Sequence, residues 1–175
     1  MKKNLIDAWN ACIDDDYCLR RINSEHGLQA SFYKHLLAVL PKTRTVFVEP
    51  KIKGARVYPD IVICNTREVI GVIELKYQPR VKPSLCKDLQ SLCDLANRQG
   101  LQFSNKRYAG PVTDGKIYKF SEHILFAWAG IHRYDADLEN RVEELLSDYG
   151  NVRNHCFLRL HAIPNRNPKP EIRVI

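Results

Sequence analysis

Apolar residues recur along this chain at two periods, and each change of period marks an element. Leu5, Ile6, Trp9, Cys12 and Ile13 fall on one side of a helix over about residues 3–13, which the acidic run at 14–16 is expected to end. A second helix is predicted over residues 24–40, with Ser24 as N-cap, Pro41 just past its end, and a stripe of Leu28, Phe32, Leu36 and Val39 or Leu40. Glu25 and Gln29 stand one turn apart in line with Phe32 and Leu36, so two polar residues open the face that should pack inward. Residues 43–52 (TRTVFVEPKI) then read as a strand, 58–65 and 69–77 as two more, and NTRE at 65–68 as the turn joining that last pair. Helical spacing returns over 82–100, with Leu85, Leu89, Leu92, Cys93 and Ala96 inward and Gly100 as the stop. Residues 101–122, rich in Lys, Tyr and Gly, form a long loop or a hairpin. Residues 123–133 (HILFAWAGIHR) are apolar on both faces, as a central strand must be. Asp135 is placed to cap a helix with Leu138, Val142, Leu145 and Tyr149 inward and Gly150 at its end. A half-exposed strand follows at 155–163, with His155 and His161 on one face, and 171–175 forms one more. The order (helix, three-strand meander, helix, strand, helix, strand) predicts an α/β layered fold: a mixed sheet with helices on its faces.

With 175 residues, 45% hydrophobic and 27% charged, the chain has the composition of a globular protein, and the lack of repeats or long linkers points to one domain over 1–175. The net charge of +7 and an isoelectric point near 9.1 favour a polyanionic partner. The first residues lack the continuous apolar core of a signal peptide, and the longest apolar run, 124–131, falls short of the ~20 residues a bilayer needs. The expectation is a cytoplasmic protein with no membrane span and six reduced cysteines. No C-x-x-C pair or other zinc-ligand spacing occurs, and Cys86 and Cys93, seven apart, are expected to share a helix face in the core.

Three charges break the apolar run YPDIVICNTREVIGVIELKYQ at 58–78: Asp60, Glu74 and Lys76. If the turn is a three-residue loop centred near Arg67, Asp60 faces Glu74 across the hairpin, and Lys76 shares the face of Glu74. A two-residue turn would slip the register by one and separate them. Both carboxylates lie at the hairpin end away from the turn. The short connection after the second helix makes that helix antiparallel to the next strand, which brings Glu25 to the same end. The flanking segments are basic, with Lys51, Lys53 and Arg56 on one side, Arg80, Lys82 and Lys87 on the other, and no acid in either. These six are candidate nucleic-acid contacts, as are Lys106, Arg107 and Tyr108 in the long loop.

Carboxylates gathered at one point repel each other, and a divalent cation relieves that repulsion. Mg²⁺ typically takes one or two carboxylates and keeps waters, leaving room for a phosphate oxygen and an attacking water. A nearby lysine can orient that water, help deprotonate it, or stabilise charge developing on the phosphate. The set suits hydrolysis of a phosphodiester.

Pro59-Asp60 followed by Glu74-Leu75-Lys76 resembles the PD-(D/E)XK nuclease superfamily, which has the fold of type II restriction endonucleases. The helix–meander–helix–strand order is similar to that superfamily's core, here about residues 24–133. The resemblance implies Asp60 and Glu74 as metal-binding carboxylates, the main-chain carbonyl of Leu75 as a further ligand, and Lys76 as the catalytic lysine. It also implies Glu25 as the acidic residue that many members carry on the first core helix, with Gln29 auxiliary. A second E-x-K, Glu49 to Lys51, lacks an aspartate at hairpin distance and has a proline where a central strand needs an N–H. The implied activity is that of a Mg²⁺-dependent deoxyribonuclease, an endonuclease, with Mn²⁺ as an alternative ion and a homodimer suited to cutting both strands. Two other readings stand beside it: a nuclease-like fold that only binds nucleic acid or protein, and a ribonuclease using the same metal chemistry.

Overall fold

The β-branched segments pair edge to edge and bury both faces, and the amphipathic helices cover them. The protein is described here from a computed structural model, which covers residues 1–55, 57–98, 100–107, 115–149, 155–164 and 170–175. The helices are α1 (Lys2–Ala11), α2 (Glu25–Val39), α3 (Cys86–Asn97) and α4 (Leu138–Tyr149). The strands are β1 (Thr45–Val48), β2 (Ile52–Lys53), β3 (Ile61–Cys64), β4 (Glu68–Gln78), β5 (Gln102–Ser104), β6 (Ile117–His132), β7 (Cys156–Ile163) and β8 (Glu171–Val174). They form one mixed sheet in the order β1-β3-β4-β6-β5-β2, with β7 on the second half of β6 and β8 outside β7. The β4–β6 and β6–β7 pairs are parallel, and the others are antiparallel. Ile61, Ile73, Leu75, Ala127 and Leu160 face α1 and α2, whereas Val62, Val72, Phe126 and Trp128 face α3 and α4.

Several sequence expectations change. The strand expected over 43–52 is two strands, because Glu49 turns the chain with φ +46° and Pro50 offers no N–H to a ladder. β1 and β2 end up at opposite ends of the strand order, so the sheet curls until Phe47 of β1 meets Phe103 of β5 at 4.6 Å. The first helix is not ended by the acidic run. Residues Cys12–Tyr17 continue as a π-helical turn, because Asp16 points inward and accepts hydrogen bonds from Ser31 Oγ and Lys34 Nζ. The described part of 101–122 contains β5, a 3₁₀ turn at Asn105–Arg107 and the start of β6, so this region is a hairpin. Tyr108 and Gly150 lie outside the described residues. Cys86, the first residue of α3, is exposed while Cys93 is buried, so the two do not share the core. Leu146 joins Leu138 and Val142 as a buried residue of α4.

Most of the last long strand is buried rather than half-exposed, because β6 and β8 flank it and α1 packs on it. His161 Nδ1 lies 3.0 Å from Nε2 of His132, whose Nδ1 is 2.9 Å from the Arg133 carbonyl oxygen. Burial lowers both imidazole pKa values, that of His161 to about 3.

Candidate active site

The hairpin sets the geometry. Asn65 Oδ1 accepts from the N–H groups of Arg67 and Glu68, and the Asn65 N–H donates to the Glu68 carbonyl, closing a two-residue turn at Thr66-Arg67. That turn alone would pair the strands one residue out of the expected register. Cys64 indeed pairs with Val69, but Ile63 pairs with Gly71, so Ile70 is a bulge that takes up the difference. The ladder then runs Ile63↔Gly71, Val62↔Val72 and Ile61↔Ile73, which sets Asp60 opposite Glu74. The expected facing is present, through a shorter turn and a compensating bulge.

A cleft of about 340 Å³ opens at this end, lined by Glu25, Asp60, Glu74, Leu75, Lys76, Lys87 and Asp88 among others. Asp60 Oδ2 accepts the Leu75 N–H at 2.6 Å, and Glu74 stands opposite Asp60 across the hairpin. Glu74 is 8% exposed. Burial first, and then Asp60 and Asp88, hold its pKa well above the ordinary range. Burial likewise pushes Asp60 up to about 6, with Glu25 and Asp88 adding to it and the Leu75 N–H opposing. Both carboxyls are thus held above the ordinary range by burial and by their acidic neighbours, a cost that a cation beside them would relieve.

Lys76 stands between two layers. Its Nζ lies 3.5 Å from Glu25 Oε2 on α2 and 3.6 Å from Asp88 Oδ2 on α3. Burial alone would lower its pKa, but Asp88 and Glu25 outweigh that and raise it, so the head group stays cationic. Glu25 also accepts the Tyr77 N–H at 3.1 Å, so its carboxylate turns toward Lys76 and the end of β4. Ser24 Oγ holds the start of α2 by accepting the Gly27 N–H. Gln29 is buried, and its Nε2 reaches the Asp60 carbonyl at 3.3 Å and Glu49 Oε1 at 3.4 Å.

The donor set fits a hard divalent ion: two carboxylates facing each other across the hairpin, and no His or Cys among the described residues that line the cleft. No three His, Cys, Asp or Glu side chains among the described residues are arranged to hold one ion, so the core of such a site is the Asp60–Glu74 pair.

No family model matches this chain, and neither does any curated protein. Among solved structures, Pyrococcus furiosus SfsA in complex with Ca²⁺ is similar over 83% of this chain and 62% of its own, at 14% identity and a TM-score of 0.43. This chain thus spans less than two thirds of that one. So loose a likeness bears on neither activity nor ligands. No helix among the described residues is long and apolar enough to cross a membrane.

Of the basic residues singled out in the sequence, Lys87 lines the cleft. Lys51, Lys53 and Arg80 are exposed and are not among the residues that line it, and Arg56 lies outside the described residues. Lys82 is engaged elsewhere: its Nζ pairs at 2.8 Å with Asp135, which Arg141 also holds at 2.9 Å. Asp135 is therefore an ion-pair centre that pins the approach to α3 against α4, beyond its expected role at the helix start.

Sequence reasoning missed Asp88 and set Glu49 aside. Asp88 is a buried carboxylate of α3 in contact with Lys76, and Trp128 Nε1 donates to it at 3.3 Å. Its signal was present: it falls three residues after Leu85 and four before Leu92, inside the apolar stripe. Glu49 reaches the site through Gln29, and its N–H donates to the Asp60 carbonyl at 3.0 Å.

Proposed function

We propose that this chain is a divalent-metal-dependent nuclease that hydrolyses DNA phosphodiester bonds, an endonuclease built on the PD-(D/E)XK plan. The observation that carries the proposal is a carboxyl pair, half-buried Asp60 and buried Glu74, sharing one cleft with a lysine held cationic. Asp60, Glu74 and the Leu75 main chain would hold Mg²⁺, or Mn²⁺ in its place. Such an ion supplies positive charge to a phosphoryl oxygen and acidifies a bound water. Lys76, fixed at the cleft wall, presents an ammonium N–H to the phosphate and stabilises charge that grows there in the transition state. Its raised pKa suits a cation better than a general base. Gln29 and Glu49 steady the Asp60 backbone, while Lys87 at the cleft and the exposed Lys51, Lys53 and Arg80 supply charge for the strand. Duplex cutting by a homodimer belongs to the same proposal.

The test is incubation with single- and double-stranded DNA and with RNA, each in Mg²⁺, Mn²⁺ or chelator. Cleavage of DNA is expected with metal only, and Asp60→Ala, Glu74→Ala and Lys76→Ala should each abolish it without unfolding the protein. Undiminished cleavage by all three variants would sink the proposal. A protein that binds DNA without cutting it, and whose melting temperature ignores divalent ions, would instead be the non-catalytic binding module.

A further inference from the structure

We infer that Asp88 is the positioning residue for Lys76, held for that task by Trp128 and Gly130. The inference rests on the reading of Lys76 as the working cation of the site. A lysine head is a point charge on a flexible four-carbon stem, so something must fix its direction. Two carboxylates do so here, one from each helix layer, and they are unequal. Glu25 is 45% exposed, whereas Asp88 is 11% exposed.

Asp88 is tied down in its turn. The Oδ2 atom that faces Lys76 also accepts Trp128 Nε1–H, and the Trp128 side chain is buried. The indole lies across Gly130, where a Cβ would come within 2.2 Å of Trp128 Cη2, so only glycine leaves room for it. In the β4–β6 ladder Glu74 pairs with Trp128 and Lys76 with Gly130. Gly130, Trp128, Asp88 and Lys76 thus form one closed support on a single face of the sheet. A carboxylate this buried needs a charged partner, and the ammonium meets that need.

The consequence concerns the neighbouring acids. Without Asp88, the ammonium would be left with the more exposed Glu25 and, in the same cleft, with Asp60 and Glu74. Pairing with the last two would neutralise the groups that must stay open to an ion. Asp88 draws the head group to the cleft wall and away from the Asp60–Glu74 pair.

The chain has two tryptophans, so a ¹H–¹⁵N spectrum should show two indole cross-peaks. Lys76→Met should move the Trp128 peak, because Asp88 loses its other partner, and should leave the peak of Trp9, buried under the opposite face, in place. Asp88→Asn should move the same peak. In cleavage assays Asp88→Asn should lower kcat by about 100-fold, Asp88→Glu should restore part of that loss, and Asp88→Asn should cost nothing further in the Lys76→Met background. A Trp128 peak indifferent to Lys76→Met, or a full cleavage rate in Asp88→Asn, overturns the inference. If the wild-type protein cleaves no nucleic acid, the nuclease reading falls, while the indole response still decides whether Asp88 holds Lys76.

Discussion

Asp16 and Asp60 are pushed in opposite directions by their partners. Asp60 is raised because burial and neighbouring carboxylates outweigh its single N–H donor. Asp16 is the less exposed of the two, and burial alone would raise it too. Hydrogen bonds from Lys34, Ser31 and His35 outweigh that and hold it below the ordinary carboxylate range. Asp16 closes the π-turn onto α2, which makes it a residue of the scaffold. Replacing it with asparagine should cost about 2–3 kcal/mol at pH 6, the scale of hydrogen bonds to a charged group. The sign of the pH dependence follows from the depressed value: Asp16 contributes fully above its unfolded pKa, near 3.8, and the contribution is lost as pH falls further. The stability gap between wild type and Asp16→Asn, read by urea unfolding, should narrow between pH 6 and pH 3. A gap that widened on acidification would show that Asp16 is not held ionised.

At the level of elements, the β4–β6 ladder connects packing to the site. Gly130→Ala places a methyl where the Trp128 indole lies, so the ring must turn and release Asp88. The expected cost is about 1–3 kcal/mol, that of overpacking a filled core, read as a lower urea midpoint with altered tryptophan fluorescence. An unchanged midpoint would mean that the indole has another resting place. Such coupling explains what was legible in the sequence. The helix stripes and the doubly apolar strand at 123–133 were readable because their periods are local. The split of 43–52 was not, since it depends on a sheet that curls until Phe47 meets Phe103, although Pro50 was the local hint. The facing of Asp60 and Glu74 was anticipated from the wrong turn: a two-residue loop and the Ile70 bulge together reproduce the register of a three-residue loop. Spacing along a hairpin revealed Asp60, Glu74 and Lys76. Asp88 lies on another element, and its proximity to Lys76 emerges only once α3 packs across the sheet.

Across the whole molecule, four elements place like charges at one end of the sheet: Glu25 from α2, Asp60 before β3, Glu74 on β4 and Asp88 on α3. Lys76 offsets part of that concentration, and the raised pKa values of Asp60 and Glu74, which favour their neutral forms, offset more. The fold thus tolerates a local repulsion that a cation would relieve, and its stability should register this. For an acid whose folded pKa is raised, the folded state binds the proton more tightly than the unfolded chain. Stability from that group is therefore present at low pH and lost as pH rises, for Asp60 from its ordinary value near 3.8 through about 6. At pH 7.5 in chelator, Asp60→Asn should accordingly be more stable than wild type by about 1 kcal/mol or more, since each unit of pKa displacement corresponds to ~1.4 kcal/mol. At pH 4.5 the advantage should shrink, because wild-type Asp60 is then protonated in the folded protein. Added Mg²⁺ or Mn²⁺ should reverse the order at pH 7.5: an ion that binds only the folded wild type raises its melting temperature with concentration, and the variant lacks a ligand. A scanning-calorimetry series over pH and metal concentration separates these terms. Wild type more stable than Asp60→Asn in chelator at pH 7.5 would place Asp60 among the scaffold residues with Asp16, and the carboxyl pair would no longer be a site held open for a cation.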